Sequence, residues 1–265
     1  MIASPFNYSA PTTLPEALAL LSSENAKVLA GGMSLIPMMK LRLSSPDHLV
    51  DLGRLQGLNS ITQSGDSITV GAMATHYEIE SSALLRKACP LLAETAAAIG
   101  DVQVRNRGTV GGSIAHADPA ADYPAALLAL DAKIVLQTLG SERTLAIADF
   151  IKDAFTTALE PGEIVTRIIV PVESAGTGTS YQKMLQPASG FAIVGVAARV
   201  RKDGSLKRLG VTGLASKAFA IGNADNLSAI DAASASSDIH ASPEYRKAMA
   251  KVYARRAVAA ALARA

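Results

Sequence analysis

The stretch that decides the reading of this chain is Lys27-Val-Leu-Ala-Gly-Gly-Met-Ser-Leu-Ile-Pro37. Its apolar half, Lys27 to Ala30, reads as a short strand. Gly31-Gly32 breaks it, and Ser34 to Leu43 reads as a short helix with Pro37 in the first turn. Glycine directly after a strand lets the backbone take positive φ and brings its N–H groups close to a pyrophosphate, and the helix that follows adds its N-terminal dipole. Gly-Gly pairs are also ordinary turn elements. The spacing is not G-x-G-x-x-G, so a Rossmann dinucleotide site is not supported.

Working outward, Thr13 and Glu16 are spaced as a capping box before an apolar helical run, and Pro46-Asp47 turns into a further strand, His48 to Leu52. These close a small β-α-β unit. From Leu58 to Ala74 the apolar period becomes two, with Gly65-Asp66 as a hairpin turn. Helices are predicted over Tyr77–Ser82 and Pro90–Ile99, a long loop over Gly100–Asp122, and strands over Lys133–Thr138 and Ile164–Val170. Glu173 to Thr179 is the best linker candidate. Ser180–Met184, Phe191–Arg201 and Ser205–Leu214 then read as an antiparallel meander, and Ser242-Pro243-Glu244 opens an Ala-rich helix reaching Ala265.

The predicted loop holds the second glycine cluster, Arg107-Gly-Thr-Val-Gly-Gly-Ser113, followed by Ala117-Asp-Pro-Ala-Ala-Asp-Tyr-Pro124. Four glycines, two arginines and three aspartates between Gly100 and Asp122 leave little to fill a core. Such a span folds round a ligand, or it is a long surface loop built from common turns. Together the two glycine clusters read as the grip on one phosphate-bearing cofactor.

Other chemistries find little support. Asp118 and Asp122 read as a turn residue and a hydroxyl acceptor rather than an acid–base pair. His48, His76, His116 and His240 are dispersed without metal-ligand spacing, and there is no G-x-S-x-G elbow. The single cysteine, Cys89, provides neither a disulfide nor an iron–sulfur cluster within 265 residues, and reads as a buried helix thiol. A net charge of +2 gives no argument for nucleic acid. No apolar run is long enough for membrane insertion, and without a secretory pattern at Met1 the expected location is cytoplasmic. The C-terminal segment carries Arg246, Lys247, Lys251, Arg255, Arg256 and Arg264 against Glu244, and reads as a solvated basic face.

These blocks, with Tyr181-Gln-Lys-Met-Leu-Gln-Pro-Ala-Ser-Gly-Phe-Ala-Ile-Val194, occur in an order and spacing that resembles the FAD-binding medium subunit of molybdenum hydroxylases. Within that group the likeness is to the carbon monoxide dehydrogenase medium-subunit type, related to the xanthine dehydrogenase flavin domain, and it runs from about Phe6 to Leu214. The resemblance implies an α+β fold: a two-subdomain FAD domain of the vanillyl-alcohol-oxidase (PCMH) type, residues 1–55 and 56–173, and a C-terminal domain, 174–265, with a three-stranded antiparallel sheet and helices. It further implies that Val28, Leu29, Ala30, Gly31, Gly32, Met33, Ser34 and Leu35 wrap the pyrophosphate and that Ile99, Gly100 and Val104 pack the adenine end. Thr109, Gly111, Gly112, Ser113 and His116 would meet phosphate and ribityl groups, and Asp122 a ribityl hydroxyl. Ile164 or Val165 would lie against the isoalloxazine, with Lys183 at its polar edge.

Met33 stands where wider relatives that bind flavin covalently often have His, so noncovalent FAD is expected. The resemblance implies an oxidoreductase subunit with two partners, a large molybdopterin subunit and a small subunit carrying 2Fe-2S clusters, assembled as a heterotrimer or a dimer of heterotrimers. FAD would take electrons from those clusters and pass them to an external acceptor. The alternatives are a stand-alone FAD oxidase or dehydrogenase of the same fold, and a flavin-free assembly protein.

Overall fold

The computed structural model describes residues 2–265. The N-terminal part is a three-stranded sheet of β1 (Asn7–Ser9), β2 (Ala26–Leu29) and β3 (His48–Asp51), all parallel, with β3 in the middle. Between β1 and β2, helix α1 (Leu14–Leu20) starts on Thr13, whose hydroxyl accepts from the Glu16 amide, and buries Ala17 and Leu18 against Val50, Leu52 and Leu55. Between β2 and β3 comes α2 (Leu35–Lys40), completing the β-α-β unit expected from sequence. Strand β1 was not expected. Asn7 and Tyr8 are exposed and carry no apolar alternation, so its pairing with β3 leaves no mark in composition.

The second sheet is antiparallel, with strands β4 (Ile61–Ser64), β5 (Ser67–Gly71), β6 (Lys133–Gln137), β7 (Glu142–Ala146) and a late strand, Ile164–Pro171, inserted between β5 and β6. Helices α3 (His76–Ser81), α4 (Ala83–Ala88) and α5 (Pro90–Ala97) lie on it, burying Ile79, Leu85, Leu91 and Leu92 in its core. Cys89 sits buried in the joint between α4 and α5.

The segment Gly100–Asp122 is not a loop. It contains α6 (Val102–Arg107) and α7 (Val110–His116), each started by a side-chain cap: Asp101 accepts from the Val104 amide, and Thr109 from the Gly112 amide. Caps satisfy amides that a short glycine-rich helix cannot pair internally. Gly111 is needed for packing, since a Cβ there would sit 2.5 Å from the Ala72 Cβ and 2.7 Å from its carbonyl oxygen. Helix α8 (Tyr123–Ala129) follows and is buried along its whole length. A small unit of α9 (Ile147–Phe150), β8 (Ile151–Asp153) and β9 (Thr156–Thr157) then leads into the late strand of the second sheet, β10.

The third sheet runs β11 (Thr177–Leu185), β12 (Ala192–Arg201), β13 (Lys207–Thr212), and a short fourth strand, β14 (Phe219–Ile221), extends the predicted meander. Strand β11 starts inside the predicted linker, whose first residue, Glu173, forms a buried ion pair with Arg199 at 2.9 Å. After α10 (Ser228–Ala232), helix α11 (Pro243–Leu262) covers this sheet with Ala250, Ala254, Ala257 and Ala261, one face of small residues. Helix and strand approach closely. A Cβ on Gly178 of β11 would come within 1.8 Å of the Ala261 carbonyl oxygen.

The basic face of α11 is largely occupied. Arg246 is buried and bonds the Ile193 and Gly213 carbonyls and Asp238, Lys251 pairs with Asp231 at 2.5 Å, and Arg264 pairs with Glu94 at 2.6 Å. What the sequence presented as a solvated stripe is thus partly an internal fastening.

Candidate functional site

A cleft of about 630 Å³ opens where the two glycine clusters meet. The parallel ladder delivers Val28 and Leu29 to the sheet edge, and the chain turns at Gly31-Gly32, with Gly32 at φ +77°, before α2 begins. The turn is pressed against the second cluster. A Cβ on Gly31 would lie 2.0 Å from the Arg107 carbonyl oxygen and 2.8 Å from the Gly108 Cα, and one on Gly112 would lie 3.5 Å from the Ala30 Cβ. Only glycine permits the first of these approaches.

The backbone N–H groups of Gly31, Gly32, Met33, Ser34 and Leu35 meet no protein acceptor among the described residues, the next amide, Ile36, bonding the Gly32 carbonyl. A row of unpaired amides at a glycine turn before a helix is an anion cradle. Helix α7 differs. Its first amides are spent on the Ala74 and Ala72 carbonyls and on Thr109, so toward the cleft it presents the Gly112 backbone and the side chains of Ser113 and His116 instead.

The predicted site residues Val28, Ala30, Gly31, Gly32, Met33, Ser34, Leu35, Ile99, Gly100, Val104, Thr109, Gly112, Ser113, His116 and Asp122 line this one cleft. Leu29, Gly111, Ile164, Val165 and Lys183 do not. Leu29 backs the turn beside Gly32, and Gly111 faces Ala72. Ile164 and Val165 are buried, the former with α1 and Leu52, the latter in the core of the second sheet. The segment just before them, Leu159-Glu-Pro-Gly-Glu163, lines the cleft in their place. Its Pro-Gly pair is a turn signal. Arg143 fixes this lip with a two-pronged contact to Glu163 at 2.7 Å for both bonds. Ser189, Gly190 and Phe191 form another wall that sequence reasoning missed.

Below the cleft lies a buried polar cluster around Asp122. Tyr181 and Lys183 are two residues apart on β11 and project to one face. The Tyr181 hydroxyl donates to Asp122 at 2.5 Å, and the Lys183 ammonium lies 3.0 Å from the same carboxylate. Lys183 also donates to the Ala98 carbonyl at 2.6 Å and the Gly190 carbonyl at 2.7 Å. Burial pushes the Asp122 carboxyl up from the usual range, opposed by Lys183 and Tyr181. His76, another lining residue absent from the sequence expectation, is buried beside Tyr123, its Nδ1 3.1 Å from the hydroxyl. Burial, helped by Arg105, holds its imidazole down at about 4, hence neutral near pH 7.

The cleft therefore combines an anion cradle, a buried carboxylate and a long, partly apolar wall. No cluster of three metal-ligating side chains exists among the described residues, and no described helix is long and apolar enough to cross a membrane. Residues 4–173 match a family model described as the FAD binding domain in molybdopterin dehydrogenase. The chain belongs to this family. Across its whole length it is 38% identical to the carbon monoxide dehydrogenase medium chain of Hydrogenophaga pseudoflava, covering 100% of this chain and 99% of that one. It is 35% identical to the 6-hydroxypseudooxynicotine dehydrogenase complex subunit alpha of Paenarthrobacter nicotinovorans, covering 98% and 95%. A solved carbon monoxide dehydrogenase from Hydrogenophaga pseudoflava, lacking the Mo-pyranopterin moiety, superposes with a TM-score of 0.94 at 38% identity over 100% of this chain and 99% of that one.

The residues present fit FAD. The amides of Gly31 to Leu35 suit the pyrophosphate, Asp122 has a carboxylate at the cleft wall for a hydroxyl donor, and the neutral His76 brings no charge. The protein is an oxidoreductase subunit of the FAD-binding molybdopterin dehydrogenase family, with the PCMH-type fold expected from its sequence.

Proposed function

We propose that this chain is the FAD-carrying electron-transfer subunit of a heterotrimeric molybdenum hydroxylase. In this reading electrons arrive from 2Fe-2S clusters on a small subunit and leave to an external acceptor, while substrate chemistry takes place on a large molybdopterin subunit. The observation that carries the reading is the turn Gly31 to Leu35, with its unpaired amides held against Arg107 and Gly108. Bound FAD supplies the two-electron store and the one-electron steps needed between clusters and acceptor. The chain's own residues bind and orient it: the amide row takes the pyrophosphate, Ser113 and Asp122 the ribityl hydroxyls, and Ile99, Gly100 and Val104 the adenine end. Met33 cannot form the covalent flavin link, so the attachment is noncovalent.

One cysteine, buried and far up in pKa, leaves the clusters to a partner. The relatives named as a medium chain and a complex subunit support the same division of labour. We further read 1–55 and 56–173 as the two FAD subdomains and 174–265 as a C-terminal domain. Purification from the native host with mass spectrometry of what co-elutes tests the assembly. Two partners, one with molybdopterin and one with 2Fe-2S clusters, are expected. A yellow chain that elutes alone and is reduced directly by a small substrate would overturn it.

A further inference from the structure

We propose that Tyr181 is a positioning residue for the cofactor: carried by the third sheet, its hydroxyl fixes the Asp122 side chain as an acceptor at the wall of the cleft. The inference rests on the FAD reading for what Asp122 receives, while the geometry belongs to the protein alone. Tyr181 is 5% exposed and stands outside the lining of the cleft, whereas Asp122 lines it. The Tyr181 hydroxyl donates to Asp122 Oδ1 at 2.5 Å, and the Lys183 ammonium lies 3.0 Å from the same oxygen. The second oxygen, Oδ2, meets Lys183 at 3.2 Å. A carboxylate oxygen has about two lone-pair sites, so the crowding at Oδ1 leaves the spare acceptor site on Oδ2. The terminal torsion of a carboxyl is broad and two-fold, and a donor fixed on one oxygen therefore decides which oxygen is left over.

The third sheet is built to deliver this hydroxyl. Gly195 on β12 faces Lys183 across one ladder and Thr212 across the other, and a Cβ there would lie 2.3 Å from the Tyr181 hydroxyl. The missing side chain is the slot in which the phenol end lies. From β13, the Thr212 hydroxyl is within hydrogen-bond reach of the Pro119 and Ala121 carbonyls, at 2.9 and 2.7 Å, and the Gly213 amide donates to the Pro119 carbonyl. The backbone leading into Asp122 is thus set by β13 and its side chain by β11. The alternative role for the Tyr181 hydroxyl is an ordinary core bond that satisfies a buried phenol. The two roles differ in consequence. A hydroxyl that serves the carboxylate favours its charged form against the burial that pushes the Asp122 carboxyl up, so losing it changes where Asp122 takes up a proton. A protonated carboxyl carries an O–H donor where the carboxylate only accepts.

The test compares wild type, Tyr181→Phe, which keeps the ring and removes the hydroxyl, Asp122→Asn and the double variant. Each is purified from its host with whatever co-elutes, stripped of flavin and titrated with FAD. Tyr181→Phe raises the pH at which Asp122 is neutralised, so its affinity should fall below wild type by about 3-fold at pH 8 and by about 10-fold or more at pH 6. Tyr123 with His76 behind it, and His116, Asp118 and Glu163 along the cleft, are the other ionisable groups around Asp122, and the ratio to wild type at each pH cancels what both chains share. In the Asp122→Asn background no proton is taken up, and adding Tyr181→Phe should change affinity by less than about 2-fold at either pH. A ratio that does not vary with pH, or an equal loss in the Asp122→Asn background, would make Tyr181 a packing residue and overturn the proposal. The infrared carbonyl band of protonated Asp122, identified by its loss in Asp122→Asn, is followed on the FAD-free protein, and its midpoint should rise by about one pH unit in Tyr181→Phe. If wild type binds no FAD, the proposed function fails; a raised midpoint then still supports the hold of Tyr181 on Asp122, and an unmoved one overturns it.

Discussion

Replacing Gly31 by alanine tests the junction on which the cofactor site depends. The added Cβ would stand 2.0 Å from the Arg107 carbonyl oxygen, 2.7 Å from its carbon and 2.8 Å from the Gly108 Cα, and contacts under 3.0 Å are not sustained by real Cβ atoms. The obstacles are backbone, so no rotamer change relieves them. The two clusters must separate by at least 1.0 Å, the difference between 3.0 and 2.0. Overpacking of this kind costs about 3 kcal/mol, the upper end for small-to-large changes, which lowers the melting temperature of a chain this size by roughly 6–10 °C. The same separation moves the amide row relative to Ser113 and Asp122. Losing two charge-assisted bonds to a pyrophosphate, at about 1.5–3 kcal/mol each, weakens FAD by at least ~100-fold. Thermal melting of the apo chain and a flavin-fluorescence titration measure both effects. Gly140→Ala, where a Cβ meets nothing within 4 Å, serves as control and should leave both unchanged. A Gly31→Ala chain melting within about 1 °C of wild type and binding FAD within ~3-fold would refute the reasoning, since a shift below either threshold corresponds to well under 1 kcal/mol.

Stability should depend on His76 in mildly acidic solution. Its folded-state value is held down at about 4 against 6.5 for the free side chain, so only the unfolded chain takes up the proton as pH falls through this window. Stability is complete above 6.5 and declines by ~3 kcal/mol by pH 4; denaturant melts at stepped pH should show this slope flattened in His76→Gln. Cys89 is fully buried, and burial with the nearby Glu173 pushes its thiol up to about 12. Iodoacetamide at pH 8 should leave it unmodified in the native chain and alkylate it on unfolding, and native labelling would contradict the packing of the α4–α5 joint. Arg143→Lys removes the fork that grips Glu163 and keeps the charge. Faster proteolysis of the 159–163 lip is expected, with the melting temperature of the whole chain unchanged, and a proteolysis pattern identical to wild type would argue that the lip is held elsewhere.

Much of the site was legible because its residues have few other uses. Gly31-Gly32 after an apolar strand, and Gly111-Gly112 after Thr109, stand out against a chain rich in alanine, leucine and valine, and both clusters do lie at the cleft. What the sequence concealed was which atoms of each cluster face the ligand. Gly111 and Gly112 differ by one position on a helix, and the tight contact with Ala72 turns Gly111 to the core while Gly112 remains at the cleft. Strand β10 presents the same difficulty in another form. Ile164 and Val165 have the apolar character that suits an aromatic ring, but as strand residues they pack against the N-terminal and second-sheet cores, and the turn before them reaches the cleft. Lys183 was the hardest to place. Its acceptors are two main-chain carbonyls, 85 and 7 residues away, and a carboxylate 61 residues away. Carbonyl acceptors carry no residue-type signal at all, so a lysine beside a flavin and a lysine that clasps the walls of a flavin cleft look identical in sequence. Those three acceptors meet one buried ammonium only once α5, the segment before α8 and the 186–191 loop have folded against β11, so its bonds tie the walls of the cleft together without leaving a trace in the sequence.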